Sequence, residues 1–162
     1  MDYLERCTLY KIDIKMKFII ISLVFFTTLA CGQNQNNKQS NKYDMNLIEN
    51  VEIKKTFESI KIGMIEFIEL GEQVYTISDV EECMSLIDSF LTNISNSEAK
   101  EDGMLNVKRL VLELNDLNEK CEYELIETNQ REQIADLIIL AGHLKGFNER
   151  NEDITEEWRE WQ

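Results

Sequence analysis

From Asp44 onward, apolar residues recur at steps of three and four, the spacing of one face of an α-helix. Leu47, Ile48 and Val51 lead into Ile53, Phe57, Ile60, Met64 and Ile68, and the pattern predicts a helix over 45–70, with Asp44 as N-cap and Gly71 as the stop. Within it, Ile60, Lys61 and Ile62 alternate, a local hint of strand. Val80, Cys83, Met84, Ile87, Leu91 and Ile94 predict a second helix over 79–94, opened by a capping box at Ser78–Glu81 or Asp79–Glu82. Ser95 to Gly103 is polar and reads as the longest internal loop. A third helix over 104–121 gathers Val107, Leu110, Val111, Leu114, Leu117 and Cys121 on one face, with Leu105 and Leu112 broadening it. Thr128 and Asn129 introduce a fourth over 130–145, where Ile134, Leu137, Ile138 and Ala141 share a face and Gly146 serves as C-cap. Asp153, with Glu156 three residues on, starts a short helix over 153–161. The chain has no proline to interrupt this rhythm. The expected fold is all-α, an antiparallel bundle of about four helices with a short C-terminal helix.

Ahead of Asp44 the pattern is different. Phe18 to Ala30 is an unbroken apolar run of 13 residues, preceded by Met16-Lys17 and followed by Cys31-Gly32-Gln33. As a helix it is ~20 Å long against a hydrocarbon core of ~30 Å, so it suits the centre of an export signal better than a stable span. Residues 16–33 resemble a bacterial lipoprotein signal. That resemblance implies lipidation of Cys31, cleavage before it, and a box formed by Thr28-Leu29-Ala30-Cys31. Thr28 stands where leucine is usual, and Leu29 where a smaller residue is commoner. Gly32 replaces the aspartate that marks inner-membrane retention in many such proteins, so the resemblance implies an outer-membrane or cell-surface location. An ordinary cleaved signal and an uncleaved anchor are the competing readings. Residues 1–15 mix Asp2, Glu5 and Asp13 with Arg6, Lys11 and Lys15, unlike a positive leading segment, so translation is expected to start at Met16.

This divides the chain into a leader and signal (1–30), a tether (31–43) and one helical domain (44–162). The tether, CGQNQNNKQSNKY, has no side chain before Tyr43 that could anchor a core, and its r.m.s. reach is ~20 Å. The whole chain has a formal charge of −14; without residues 1–30 it carries 13 basic and 28 acidic residues, a net of −15. Such a surface is a poor match for nucleic acid and is repelled by anionic lipid, so membrane contact is expected through acyl chains on Cys31. It favours a basic protein partner.

Catalytic motifs are sparse. His143 is the one histidine, which excludes two- and three-histidine metal centres; it lies opposite Ile134 on its helix and reads as a surface residue near the negative helix end. Aligning Gly103 with the glycine of a calcium loop places Lys100 and Arg109 at ligand positions, and no phosphate-cradling loop, dinucleotide fingerprint or nucleophile elbow is present. No cofactor or metal is therefore expected. Cys83 and Cys121 lie on apolar stripes; the expected helix ends separate them by ~9 Å along the axis, beyond the ~7 Å that a bridge allows, so two buried thiols are expected over a disulfide. Trp158 and Trp161 share a helix face. They either dock on the bundle or form, with Glu156 and Glu157, an exposed surface for a basic partner. Two function classes remain. One is a lipid-anchored, non-enzymatic binding or inhibitory module; the other is a small enzyme or ligand carrier with a site inside the bundle.

Overall fold

Asn50 sets the start of the first helix. Its side-chain Oδ1 accepts from the N–H groups of Glu52 and Ile53 at 2.9 and 3.1 Å, closing α1 (Val51–Leu70). In this computed structural model, which describes residues 47–71 and 73–161, the chain ahead of Asn50 forms a short 3-10 turn (Leu47–Glu49). Helix α1 thus begins six residues later than its apolar spacing predicts, because Asn50 is extended and diverts the chain. Leu47 is fully buried, and its N–H donates to Ser95 Oγ at 3.4 Å. The expected signal, Cys31, the tether and the Asp44 cap lie outside the described residues. Gly71 ends α1 at φ 83°, in the left-handed region that suits glycine.

Helix α2 (Ile77–Asn96) starts two residues earlier than expected, with Thr76 as its N-cap. Asp79, three residues on, accepts from the Thr76 N–H at 2.9 Å and from its hydroxyl at 2.7 Å. Helix α3 (Lys100–Lys120) also starts early and takes in half of the expected loop. Lys100 to Asp102 are polar because they form an exposed first turn, where Glu101 and Asp102 complement the helix dipole. Helix α4 (Thr128–Leu144) is followed by Gly146 at φ 75°. The described residues contain these four helices and no strand, so Ile60-Lys61-Ile62 is a turn of α1.

The packing follows the stripes. Helix α2 lies along α3, α1 along α4, and α1 also against α2, whereas α3 and α4 make little direct contact. Ile60, Met64, Ile87, Leu91, Leu114, Ile134 and Leu137 are among the buried core side chains. Burying each is worth about 1.5–3 kcal/mol. Helix α4 is buried on more than the expected face: Ile139 and Leu140 are covered as well.

The C-terminal segment packs on α4 at Gly142, where Asn148 and Ile154 lie against it, and here the expected helix over 153–161 does not form. Asp153 Oδ1 accepts from the N–H and the hydroxyl of Thr155, and the Thr155 carbonyl accepts from Trp158 and Arg159, which makes one isolated turn. The groups that would extend it are taken by Asn115 of α3. Its Nδ2 donates to the Trp158 carbonyl at 2.8 Å, and its Oδ1 accepts from the Glu160 N–H at 3.2 Å. Upstream, Asn148 donates to the Ile139 carbonyl at 3.1 Å, and the Phe147 ring packs against the Gly103 backbone.

Alanine at Gly103 would place its methyl 2.4 Å from the Phe147 ring. Helix propensity alone would raise stability by ~1 kcal/mol, but overpacking of this kind costs ~1–3 kcal/mol. Gly103→Ala is therefore expected to lower the urea midpoint of the protein. A raised midpoint would show that Phe147 does not dock there.

Candidate functional site

Three groupings bring potentially reactive side chains together. The first lies where α2 begins and α3 ends. Lys120 Nζ sits 3.0 Å from Asp79 Oδ1 and 2.9 Å from Glu82 Oε2. Hydrogen bonds from the Thr76 hydroxyl and N–H, followed by Lys120, hold the Asp79 carboxyl at about 2. The same contacts, Glu82 first and then Asp79, raise Lys120 above the ordinary lysine range. Cys83 and Cys121 are both buried as free thiols. Burial, then the neighbouring Cys121 and Glu82, pushes the Cys83 thiol up to about 12; burial and Asp79 raise Cys121 in the same direction. Tyr75 donates its hydroxyl to the Met64 carbonyl at 3.1 Å. Its pKa is pushed up to about 12 by burial and then by Glu127. Each shift reinforces the protonation state that the group already holds at neutral pH. The thiols are neutral, weak nucleophiles, and none of these groups is poised for proton transfer near pH 7.

The second grouping is the C-terminal segment. Trp161 is only 4 % exposed and belongs to the core, so it does not form part of an exposed aromatic surface. Trp158 is half-buried, with Lys108 Nζ 5.8 Å from its ring centre; Glu156 and Glu157 beside it are exposed. Arg159 stacks 5.4 Å above Trp161 and pairs with Asp153 at 3.2 Å. Burial by itself raises the Asp153 carboxyl, but the Thr155 bonds outweigh it and hold the group below its ordinary value. His143 is half-buried rather than a plain surface residue. The segment covers that side of α4, and His143 Nδ1 lies 3.1 Å from the Asn148 carbonyl.

The third grouping is the interior and its grooves. The buried polar side chains among the described residues are Ser97, Asn115, Asn118, Gln130, Asn148 and Thr155, all uncharged. Most serve the backbone; Asn118 Oδ1, for example, accepts from the Ile126 N–H at 2.9 Å and shapes the α3–α4 loop. Asn115 and Asn118 were the informative positions that the sequence reading passed over. Their only signal was a pair of amides spaced three apart beside Leu114 and Leu117. A groove of about 140 Å³ between α1 and α2 is lined by Ile53, Phe57, Leu91 and charged residues at its rim. A notch of about 240 Å³ between α1 and α4 holds Ser59, Glu66, Gln130 and Gln133, and Gln133 Nε2 donates to Ser59 Oγ at 3.2 Å. No group of three or more His, Cys, Asp or Glu side chains among the described residues could hold a metal ion. Among the same residues, no helix is long and apolar enough to cross a membrane.

Fold and interior together define a small all-helical domain with an uncharged core and a C-terminal segment laid along α3 and α4. Comparison with family models, with curated proteins and with solved structures finds no match to this chain.

The Asp79 carboxyl yields a signed prediction. Its folded-state pKa of about 2 is below the ordinary ~3.9. A depressed carboxyl contributes stability that is fully present above the unfolded value and is lost as pH falls from about 4 toward 2. Asp79→Asn is expected to destabilise by about 1 kcal/mol at pH 7, the scale of a helix cap, with the deficit shrinking steadily below pH 4. Urea titrations at pH 7 and pH 3 measure it; a deficit independent of pH would place its origin elsewhere.

Proposed function

We propose that this chain is an exported, lipid-anchored envelope protein whose helical domain binds a protein partner and carries out no chemistry of its own. The anchor is acylated Cys31, in an outer-membrane or cell-surface location, and the partner is basic. Sequence supports the anchor: a 13-residue apolar run ends at Ala30-Cys31-Gly32, and a polar tether follows. The observation that carries the binding reading is the interior. Among the described residues, every fully or nearly buried polar side chain is uncharged, and most are engaged with backbone groups. An enzyme of the bundle type needs ionisable groups converging on a chamber. The acidic balance, −15 beyond residue 30, favours Lys- and Arg-bearing surfaces as partners.

Within this reading the helices form an antiparallel bundle. Lys120 at the end of α3 reaches Asp79 and Glu82 at the start of α2. Ser59 bonds Gln133 while Gly63, further along α1, faces the earlier Gln130, and the Leu47 N–H reaches Ser95 near the end of α2. Each bond supports neighbouring helices running in opposite directions.

Mass spectrometry of the mature protein tests the anchor. The expected N-terminus is Cys31 carrying two or more acyl chains, since one chain gives only marginal membrane binding. The Cys31→Ser protein is expected to leave the membrane fraction or to retain its signal. An unmodified Cys31, or a mature N-terminus elsewhere, would contradict the proposal.

A further inference from the structure

We infer that the end of the bundle formed by the α1–α2 turn and the α3–α4 loop is the surface that docks a protein partner, one presenting an apolar patch rimmed by lysine or arginine. This deepens the binding function proposed above and rests on it. Four large side chains are exposed at that end: Leu70 at 73 %, Tyr123 at 59 %, Val74 at 48 % and Ile77 at 45 %. Val74 and Tyr123 lie on the two loops, Val74 between the end of α1 at Leu70 and the start of α2 at Ile77, and the loops meet directly, since the Val74 N–H donates to Glu124 Oε2 at 3.1 Å. Solvent-facing residues of this size, gathered from separate loops, mark interaction surfaces, whereas single exposed apolar residues are unremarkable.

The loop is also held in a form that an unconstrained chain avoids. Glu122 and Tyr123 have φ of 54° and 66°, and neither is glycine. Asn118 enforces this geometry: its carbonyl accepts from the Tyr123 N–H at 2.7 Å and its side chain accepts from the Ile126 N–H at 2.9 Å. Tyr123 is therefore presented from a fixed backbone and not from a floppy loop, which lowers the ordering cost of binding.

Charge selects the occupant. Glu69, Glu122 and Glu127 are exposed around the apolar residues, and Glu124 lies between them. Among the described residues, the basic groups at this end are Lys120, already engaged by Asp79 and Glu82, and Arg131 in the first turn of α4. A second copy of the chain would bring acidic rims together, and an anionic lipid surface would meet the same repulsion; a basic-rimmed protein meets the opposite charge. Helix α1 is 20 residues long, so this end lies ~30 Å along it from Leu47.

Photocrosslinking in cells that express the full chain tests the inference. A photoreactive residue replaces Val74, Tyr123 or, as a control, Leu105, which is equally apolar and 60 % exposed on α3. The expected result is a protein adduct from positions 74 and 123 but not 105, with the crosslinked partner peptides rich in Lys and Arg. Adduct yield should fall at least about fivefold in Glu69→Lys, Glu122→Lys chains, whose rim charge is reversed. An adduct with a second copy or with lipid, no adduct at 74 and 123, or insensitivity to charge reversal would overturn it. A protein adduct from position 105 alone would overturn this surface while leaving partner binding intact. Absence of protein adducts at all three positions would remove both, and the acyl mass on Cys31 reports on the anchor independently of either.

Discussion

Helix α4 is apolar on more than one side, and the rest of the domain is arranged to cover it. Ile134, Leu137, Ile138 and Ala141 form the stripe of an ordinary amphipathic helix, but Ile139 and Leu140 continue the apolar surface around it. Such a helix has to be enclosed from two directions. Helix α1 supplies one cover along its length. Helix α3 does not supply the other, because it pairs with α2 and barely approaches α4. The C-terminal segment packs on α4 beside Ile139, through Asn148 and through Ile154 at Gly142, and on α3 through Phe147 at Gly103.

That duty explains the irregular course of the segment. A helix over 153–161 would satisfy its own backbone and present one face. The observed chain instead hands its polar groups to neighbours: Asn115 holds Trp158 and Glu160, and Asn148 reaches the α4 backbone. Gly103 and Gly142 provide the recesses, since a methyl at either would run into Phe147 or Asn148. Two hydrogen bonds to Asn115 are worth ~2 kcal/mol, while burial of Phe147 and Trp161 is worth several times that, so packing selects the path and the amides fix it.

The four helices were legible in the sequence because their stripes hold to helical spacing for four or five turns. Errors arose where a short-range signal competed with a tertiary one. Apolar spacing carried α1 back to 45, but the Asn50 side chain was the true cap. Lys100-Glu101-Asp102 looked like loop because a solvent-facing first turn has no apolar residue to announce it. In DITEEWREW the local capping pattern outvoted an acceptor and donor on Asn115, more than 40 residues away in the chain. The same long-range contacts put Trp161 in the core, the docked one of its two expected readings, and drew His143 partly inside. Leu70, Val74, Ile77 and Tyr123 were invisible as a group, since nothing local says that two loops 50 residues apart touch.

The most direct test of this arrangement is to end the chain at Gly146 and follow thermal unfolding by calorimetry together with binding of a hydrophobic dye. Truncating a buried Phe or Trp costs ~3–5 kcal/mol, and domains of this size are stable by only ~5–15 kcal/mol. Loss of Phe147 and Trp161 together should therefore abolish the cooperative transition and expose to the dye the apolar surface of α3 and α4 around Gly103 and Gly142. A shortened chain that melts cooperatively at the temperature of the full protein, with no added dye binding, would show that α4 is enclosed without the C-terminal segment.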